Sequence, residues 1–115
     1  MSSPGGDNQD QTALNVLLNV LVFDMEIQAA IEAPRISSSH PHSSFDNHAN
    51  SPGQIDIENR VPAAVLDELR ARGHIVRAVG PYGVYTGLVA VGVNPATGTL
   101  RGGADLRRER YIMGW

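Results

Sequence analysis

Leucines at positions 14, 17, 18 and 21 follow the i, i+3, i+4, i+7 spacing of a helix, which predicts a first helix from Asp7 to Phe23. Ala13, Val16 and Val20 widen that stripe until only Gln11, Asn15 and Asn19 form a polar strip. A helix with so little polar surface needs cover on more than one side and is expected in a core. A second helix is expected from Met25 to Ala33, capped by Asp24 and stopped by Pro34. A third is expected from Pro62 to Arg72, with proline in its first turn and Gly73 as the C-terminal cap. Val65, Leu66 and Leu69 mark its buried side, and Glu68 can pair with Arg72 at i, i+4.

The strand pattern is shorter in period. Gln54-Ile55-Asp56-Ile57-Glu58 alternates as a half-buried strand does, and His74 to Val79 is a second strand. Val84 to Val93 is the most apolar strand, with Gly87 and Gly92 permitting a bulge or a close backbone approach. Asn94-Pro95-Ala96-Thr97-Gly98 is a turn, so Thr99 to Ala104 returns as the second arm of a hairpin. Ser37 to Gly53, rich in Ser, His, Asn and Pro, separates a helical part (1–36) from a strand–helix–strand part (54–115). No internal repeat is visible. The expected class is α+β, with helices packed on a mainly antiparallel sheet.

A length of 115 residues suits one compact domain, and 42% apolar with 18% charged residues is enough for a modest core. Nine basic and twelve acidic residues give a net charge of -3, which argues against a dedicated nucleic-acid binder. All the basic residues are arginines. The chain has no Cys, which excludes disulfides, thiolate zinc sites and thiol nucleophiles. Its longest apolar run, Val20 to Phe23, is far too short to span a bilayer, and Met1 to Asp7 carry no signal-peptide pattern.

Three groups of residues are candidates for chemistry. In Pro4-Gly5-Gly6, two glycines let the backbone turn tightly at the start of the first helix, where N–H groups and the positive dipole end favour an anion. Such a pair can stabilise the oxyanion of a tetrahedral intermediate. His40, His42 and His48, with Asp46, carry ligand chemistry for zinc, but their spacing fits no strong metal signature. A solvated loop is expected there, with no metal, and His74 is expected at a strand edge. Arg107, Arg108 and Arg110, with Asp105 and Glu109, read either as a carboxylate-binding patch or as a solvated turn with internal ion pairs. Thr12, Thr86, Thr97 and Thr99 have no activating group nearby in sequence, so no complete nucleophile–base arrangement is legible.

The order of the pieces carries a resemblance. Ser3-Pro4-Gly5-Gly6-Asp7 leads into Gln11 to Leu21, then Ala29-Ala30-Ile31-Glu32-Ala33-Pro34-Arg35 and Ile57-Glu58-Asn59-Arg60-Val61-Pro62. Leu69-Arg70-Ala71-Arg72-Gly73-His74 follows, and Gly103-Ala104-Asp105-Leu106-Arg107-Arg108 comes near the end. Over nearly its whole length this resembles the C-terminal part of the small subunit of gamma-glutamyltranspeptidase, or glutathione hydrolase. The segment from Ser37 to Gly53 is similar to the loop of a bacterial branch with acylase-like members. Met1-Ser2 stands where the family commonly has Gly, Leu106 where it commonly has Pro, and Trp115 suits its frequent aromatic end.

The resemblance implies the C-terminal portion of an αββα N-terminal-nucleophile hydrolase sandwich, so that 1–115 form a single partial domain. It implies a new N-terminal Thr that attacks the gamma-glutamyl amide, with its own amine as base. It implies no cofactor. By the match, Gly5 and Gly6 supply the oxyanion donors. The nucleophilic Thr and the groups that bind the glutamyl amino and carboxyl ends are expected roughly a hundred residues before Gly5, outside the chain. The isolated chain is therefore expected to be inactive, with gamma-glutamyl small molecules as substrates only once it is complemented. Its expected partners are the remainder of the enzyme or a second copy, since the first helix would lose cover and the Val84 to Val93 strand would expose an edge. A non-catalytic remnant or interaction module with the same fold end is the alternative.

Overall fold

The computed structural model describes residues 1–113; Trp115 lies outside the described residues. The chain divides into two compact units, residues 1–33 with 85–115, and residues 34–84. No helix among the described residues is long and apolar enough to cross a membrane.

The first unit holds helices α1 (Asn8–Leu21) and α2 (Ile27–Glu32) and strands β4 (Val89–Val93) and β5 (Leu100–Ala104). The two strands form the expected antiparallel hairpin, with Val89 opposite Ala104 and Val93 opposite Leu100. Its inner face packs on α2. There Ile27 and Ile31 lie so close over Gly92 and Gly103 that a Cβ at either glycine would stand 2.9 Å from the isoleucine Cδ1. Val16, Ala30, Ile31, Leu88 and Ala90 form the core, with Val20, Met25 and Ile27 against it. The outer face is apolar and partly exposed, with Val91 54% and Val93 61% exposed and Ile112 lying over Gly102.

The orientation of α1 differs from the expectation. Its buried positions are Thr12 and Val16, and the leucine stripe faces outward, Leu14 56% and Leu21 75% exposed. The polar strip turns inward because it finds partners there. Asn19 Nδ2 donates to the Ala30 carbonyl (3.1 Å), and Thr12 meets Thr86. The leucines have no such layer opposite them among the described residues.

The second helix starts later than expected. Asp24 sits in the left-handed region (φ 52°) and turns the chain out of α1, and Glu26 is the actual cap, its carboxylate accepting from Gln28 N–H at 3.1 Å. The strand expected from Val84 is regular only from Val89. Just before that point Leu88 N–H donates to Asp105 Oδ2 (3.2 Å) while its carbonyl accepts from Asp105 N–H (3.0 Å), and Gly87 lies under the Arg108 side chain.

The second unit is a three-stranded sheet in the order β1 (Ile36–Ser38), β2 (Gln54–Glu58), β3 (Ile75–Val79). The short β1, inside the stretches read as helix and polar loop, pairs antiparallel with β2. β2 and β3 run parallel, Gln54 opposite Ile75, because α3 (Ala63–Ala71) carries the chain across between them. Pro62 caps α3, Gly73 (φ 94°) ends it, and Leu66 is its buried residue. Val65, expected inside, is exposed, whereas the Arg72–Glu68 pair forms as expected.

Candidate functional site

The turn before α1 is built from two left-handed glycines, Gly5 (φ 137°) and Gly6 (φ 57°). Their carbonyls accept the first helical N–H groups, Asn8 N to Gly5 O at 3.2 Å and Gln9 N to Gly6 O at 3.0 Å. Their own N–H groups bond to no acceptor among the described residues. Two such donors beside the positive end of a 14-residue helix are suited to an anion.

A buried support lies beneath the turn. A Cβ at Gly5 would stand 2.7 Å from Thr86 Cγ2, so the backbone rests directly on that side chain. Thr86 Oγ1 lies 2.7 Å from Thr12 Oγ1, one helical turn into α1. Two threonines 74 positions apart thus meet below the glycines, a pairing that spacing along the chain does not signal. With both hydroxyls engaged, they tie the turn to the segment before β4. The chain's entry is tied as well: Ser2 and Val89 exchange both backbone hydrogen bonds, each 2.9 Å.

The arginine cluster forms the expected internal ion pair, but that pair is buried rather than solvated. The Arg107 and Asp105 side chains are fully buried and pair at 3.1 Å. Arg107 donates to the carbonyls of Ile31 and Ala33, both at 3.0 Å, and so closes the C-terminal end of α2. Arg108 stacks its guanidinium 4.1 Å from the Tyr85 ring, Glu109 is exposed and Arg110 half-buried.

The histidines stay within their loop. His40 Nδ1 accepts from Gly53 N–H (2.9 Å), His42 Nδ1 lies 3.0 Å from the His48 carbonyl, and His48 Nδ1 lies 2.9 Å from the Ser43 carbonyl. The described residues contain no group of three or more His, Asp or Glu placed to hold a metal ion. His74 is exposed just before β3.

One buried polar centre was not anticipated. Glu58, fully buried at the end of β2, accepts from Arg60 (2.5 Å), from Arg35 N–H (3.3 Å) and from Val84 N–H (3.4 Å). Arg60 also stacks 4.0 Å over Tyr82. The available signal was an arginine two positions after the strand glutamate.

The gamma-glutamyltranspeptidase family matches the chain over residues 1–115. The chain belongs to that family. It is 33% identical over 107 residues to the acylase ACY 1 proenzyme of Pseudomonas sp. (strain SE83), covering 92% of this chain and 16% of that protein. It is 30% identical over 115 residues to the glutathione hydrolase proenzyme of Bacillus subtilis (strain 168), covering 99% and 17%. The cephalosporin acylase from Bacillus halodurans superposes with a TM-score of 0.80 at 26% identity, over 98% of this chain and 19% of that one. The chain thus spans about a sixth of the length of these two curated relatives. As a gamma-glutamyltranspeptidase family member it has part of the N-terminal-nucleophile hydrolase fold, with which its helices and largely antiparallel strands agree.

Proposed function

We propose that this chain supplies the oxyanion-binding turn of an amide-cleaving enzyme, with Gly5 and Gly6 N–H groups as the donors. The observation that carries the reading is the left-handed glycine pair at the start of α1, its N–H groups uncommitted and its backbone seated on Thr86. Donors fixed before the reaction stabilise developing negative charge without reorganising at the moment of bond formation. The nucleophile, an N-terminal Thr by family resemblance, attacks the acyl carbon. The carbonyl π electrons move to oxygen as the new bond forms. That oxyanion sits on the two N–H groups until the amine leaves with a proton. Water or an acceptor amine then resolves the acyl-enzyme. The substrates are gamma-glutamyl or related acyl amides, as the names of the glutathione hydrolase and acylase relatives suggest. The remainder of such an enzyme is the partner.

The test is a chimera in which these 115 residues replace the matched stretch of the Bacillus subtilis glutathione hydrolase. The chimera should release glutamate from a gamma-glutamyl anilide. Gly6→Ala within it, which moves the donors by disfavouring φ 57°, should lower kcat by about 100-fold or more with little change in KM. A folded, processed chimera without activity would mean a non-catalytic remnant and would overturn the reading. So would a Gly6→Ala chimera with full kcat.

A further inference from the structure

We propose that Thr12 and Thr86 are positioning residues for the glycine turn: the contact between their hydroxyls holds Thr86 with its methyl, and not its oxygen, under Gly5. This deepens the reading of Gly5 and Gly6 as oxyanion donors and rests on it.

The two γ atoms of Thr86 face different neighbours. Oγ1 lies 2.7 Å from Thr12 Oγ1. Cγ2 lies under Gly5, where it is the atom nearest the place of a Cβ, at 2.7 Å against 3.6 Å for the Thr86 Cβ. A threonine side chain turns about a single bond between three staggered positions. Either turn away from the observed one breaks the hydroxyl contact and takes the methyl from beneath Gly5. One of the two puts the oxygen where the methyl was.

Which atom sits under the turn matters for the donors. The Gly5 and Gly6 N–H groups bond to no acceptor among the described residues, and an oxyanion needs them in that state. A methyl neither donates nor accepts, so it carries the backbone without competing for those groups. A hydroxyl oxygen in the same place is an acceptor beside them. Both threonines are buried, so their hydroxyls bond to protein groups and not to bulk water. Thr12 gives the Thr86 hydroxyl such a partner on the helix that the glycine turn begins. Thr12 thus acts on the donors through Thr86.

The first test is NMR on the 115-residue chain. Three-bond couplings from the Thr86 backbone nitrogen and carbonyl carbon to Cγ2 read its rotamer. They should report one rotamer in the parent and in Thr12→Ser, and an average or a different rotamer in Thr12→Val, with the Gly5 and Gly6 amide shifts moving in step. Unchanged couplings in Thr12→Val overturn the proposal. The second test places the variants in the active chimera. Thr86→Ser, which keeps the hydroxyl and drops the methyl, should lower kcat about tenfold with KM little changed. Thr86→Val, which keeps a methyl for the turn, should lose clearly less. Thr12→Val should also lower kcat, and adding Thr86→Val should recover most of that loss, because no oxygen is left to turn under Gly5. A merely structural role predicts no such recovery, since both variants lack the hydrogen bond. Equal losses in the single and double variants overturn the proposal, as does a Thr86→Val loss as large as that of Thr86→Ser. Where Thr12→Val does not fold, the two Thr86 variants decide. An inactive chimera sinks the catalytic reading and leaves the couplings to judge the support. A chimera that loses kcat with Gly6→Ala but not with these variants keeps the donors and removes the threonines.

Discussion

Thr12 and Thr86 meet hydroxyl to hydroxyl at 2.7 Å, with 1% and 0% of their surfaces exposed. The contact joins the first turns of α1 to the segment before β4, below the glycine turn. A hydrogen bond of this kind contributes about 0.5–1.5 kcal/mol net. Thr12→Val should therefore destabilise the chain by about that amount in urea unfolding. Thr12→Ser keeps the oxygen and should recover most of the loss. Equal losses for Val and Ser would assign the effect to packing instead.

Gly5 tests the same support from above. Alanine there meets two penalties, a left-handed φ of 137° and a Cβ 2.7 Å from Thr86 Cγ2. Gly5→Ala should cost on the order of 1–3 kcal/mol. The double variant with Thr86→Ser, which removes that methyl, should cost less than the sum of the singles. Additive losses in the double-mutant cycle would separate the turn from Thr86.

Arg107 is a structural residue, with a distinct signature. Its guanidinium satisfies Asp105 and two carbonyls at the end of α2, all away from water. Arg107→Met breaks this buried ion pair and both carbonyl bonds, which costs about 3–5 kcal/mol. The chain should then be largely unfolded by circular dichroism, whereas Arg110→Met should leave its spectrum unchanged.

The loop histidines give a prediction of no effect. Their imidazoles bond to loop backbone and do not converge. Zinc at ten times the protein concentration should leave the melting temperature unchanged, because only a ligand that prefers the folded state raises it. A rise of several degrees would place a metal site in this loop.

What the sequence made legible was local. Periodicity found α1, α3, β2, β3 and the hairpin, because a helix or strand of nine residues or an alternating five records its own period. It missed β1, three residues whose strand character comes entirely from β2 beside them. It misplaced the cap of α2, since Asp24 and Glu26 are both competent acceptors and only the left-handed turn at Asp24 decides between them. Pro4-Gly5-Gly6 could be singled out because glycine pairs announce unusual backbone. Thr86 below it could not, because a threonine in an apolar stretch looks like any strand residue. The roles of Asp105 and Glu58 were hidden for a related reason: a carboxylate in sequence carries a charge, but its burial depends on N–H groups from distant positions.

The leucines of α1 present the sharpest conflict between sequence and the fold of one chain. A stripe at 14, 17, 18 and 21 has the spacing of a packing face, yet the structure turns it to solvent and turns Thr12, Val16 and Asn19 inward. Both facts hold together if the leucine face is buried by another polypeptide surface. The isolated chain should therefore self-associate, which light scattering would detect as a mass above 12.3 kDa. Replacing Leu14, Leu18 and Leu21 together by Gln should restore a monomer. Because these positions contribute little to the chain's own core, each should change its unfolding free energy by no more than about 0.5 kcal/mol. A parent chain that is already monomeric would remove the need for a covering layer. A triple variant that unfolds would show that the leucines pack within the chain after all.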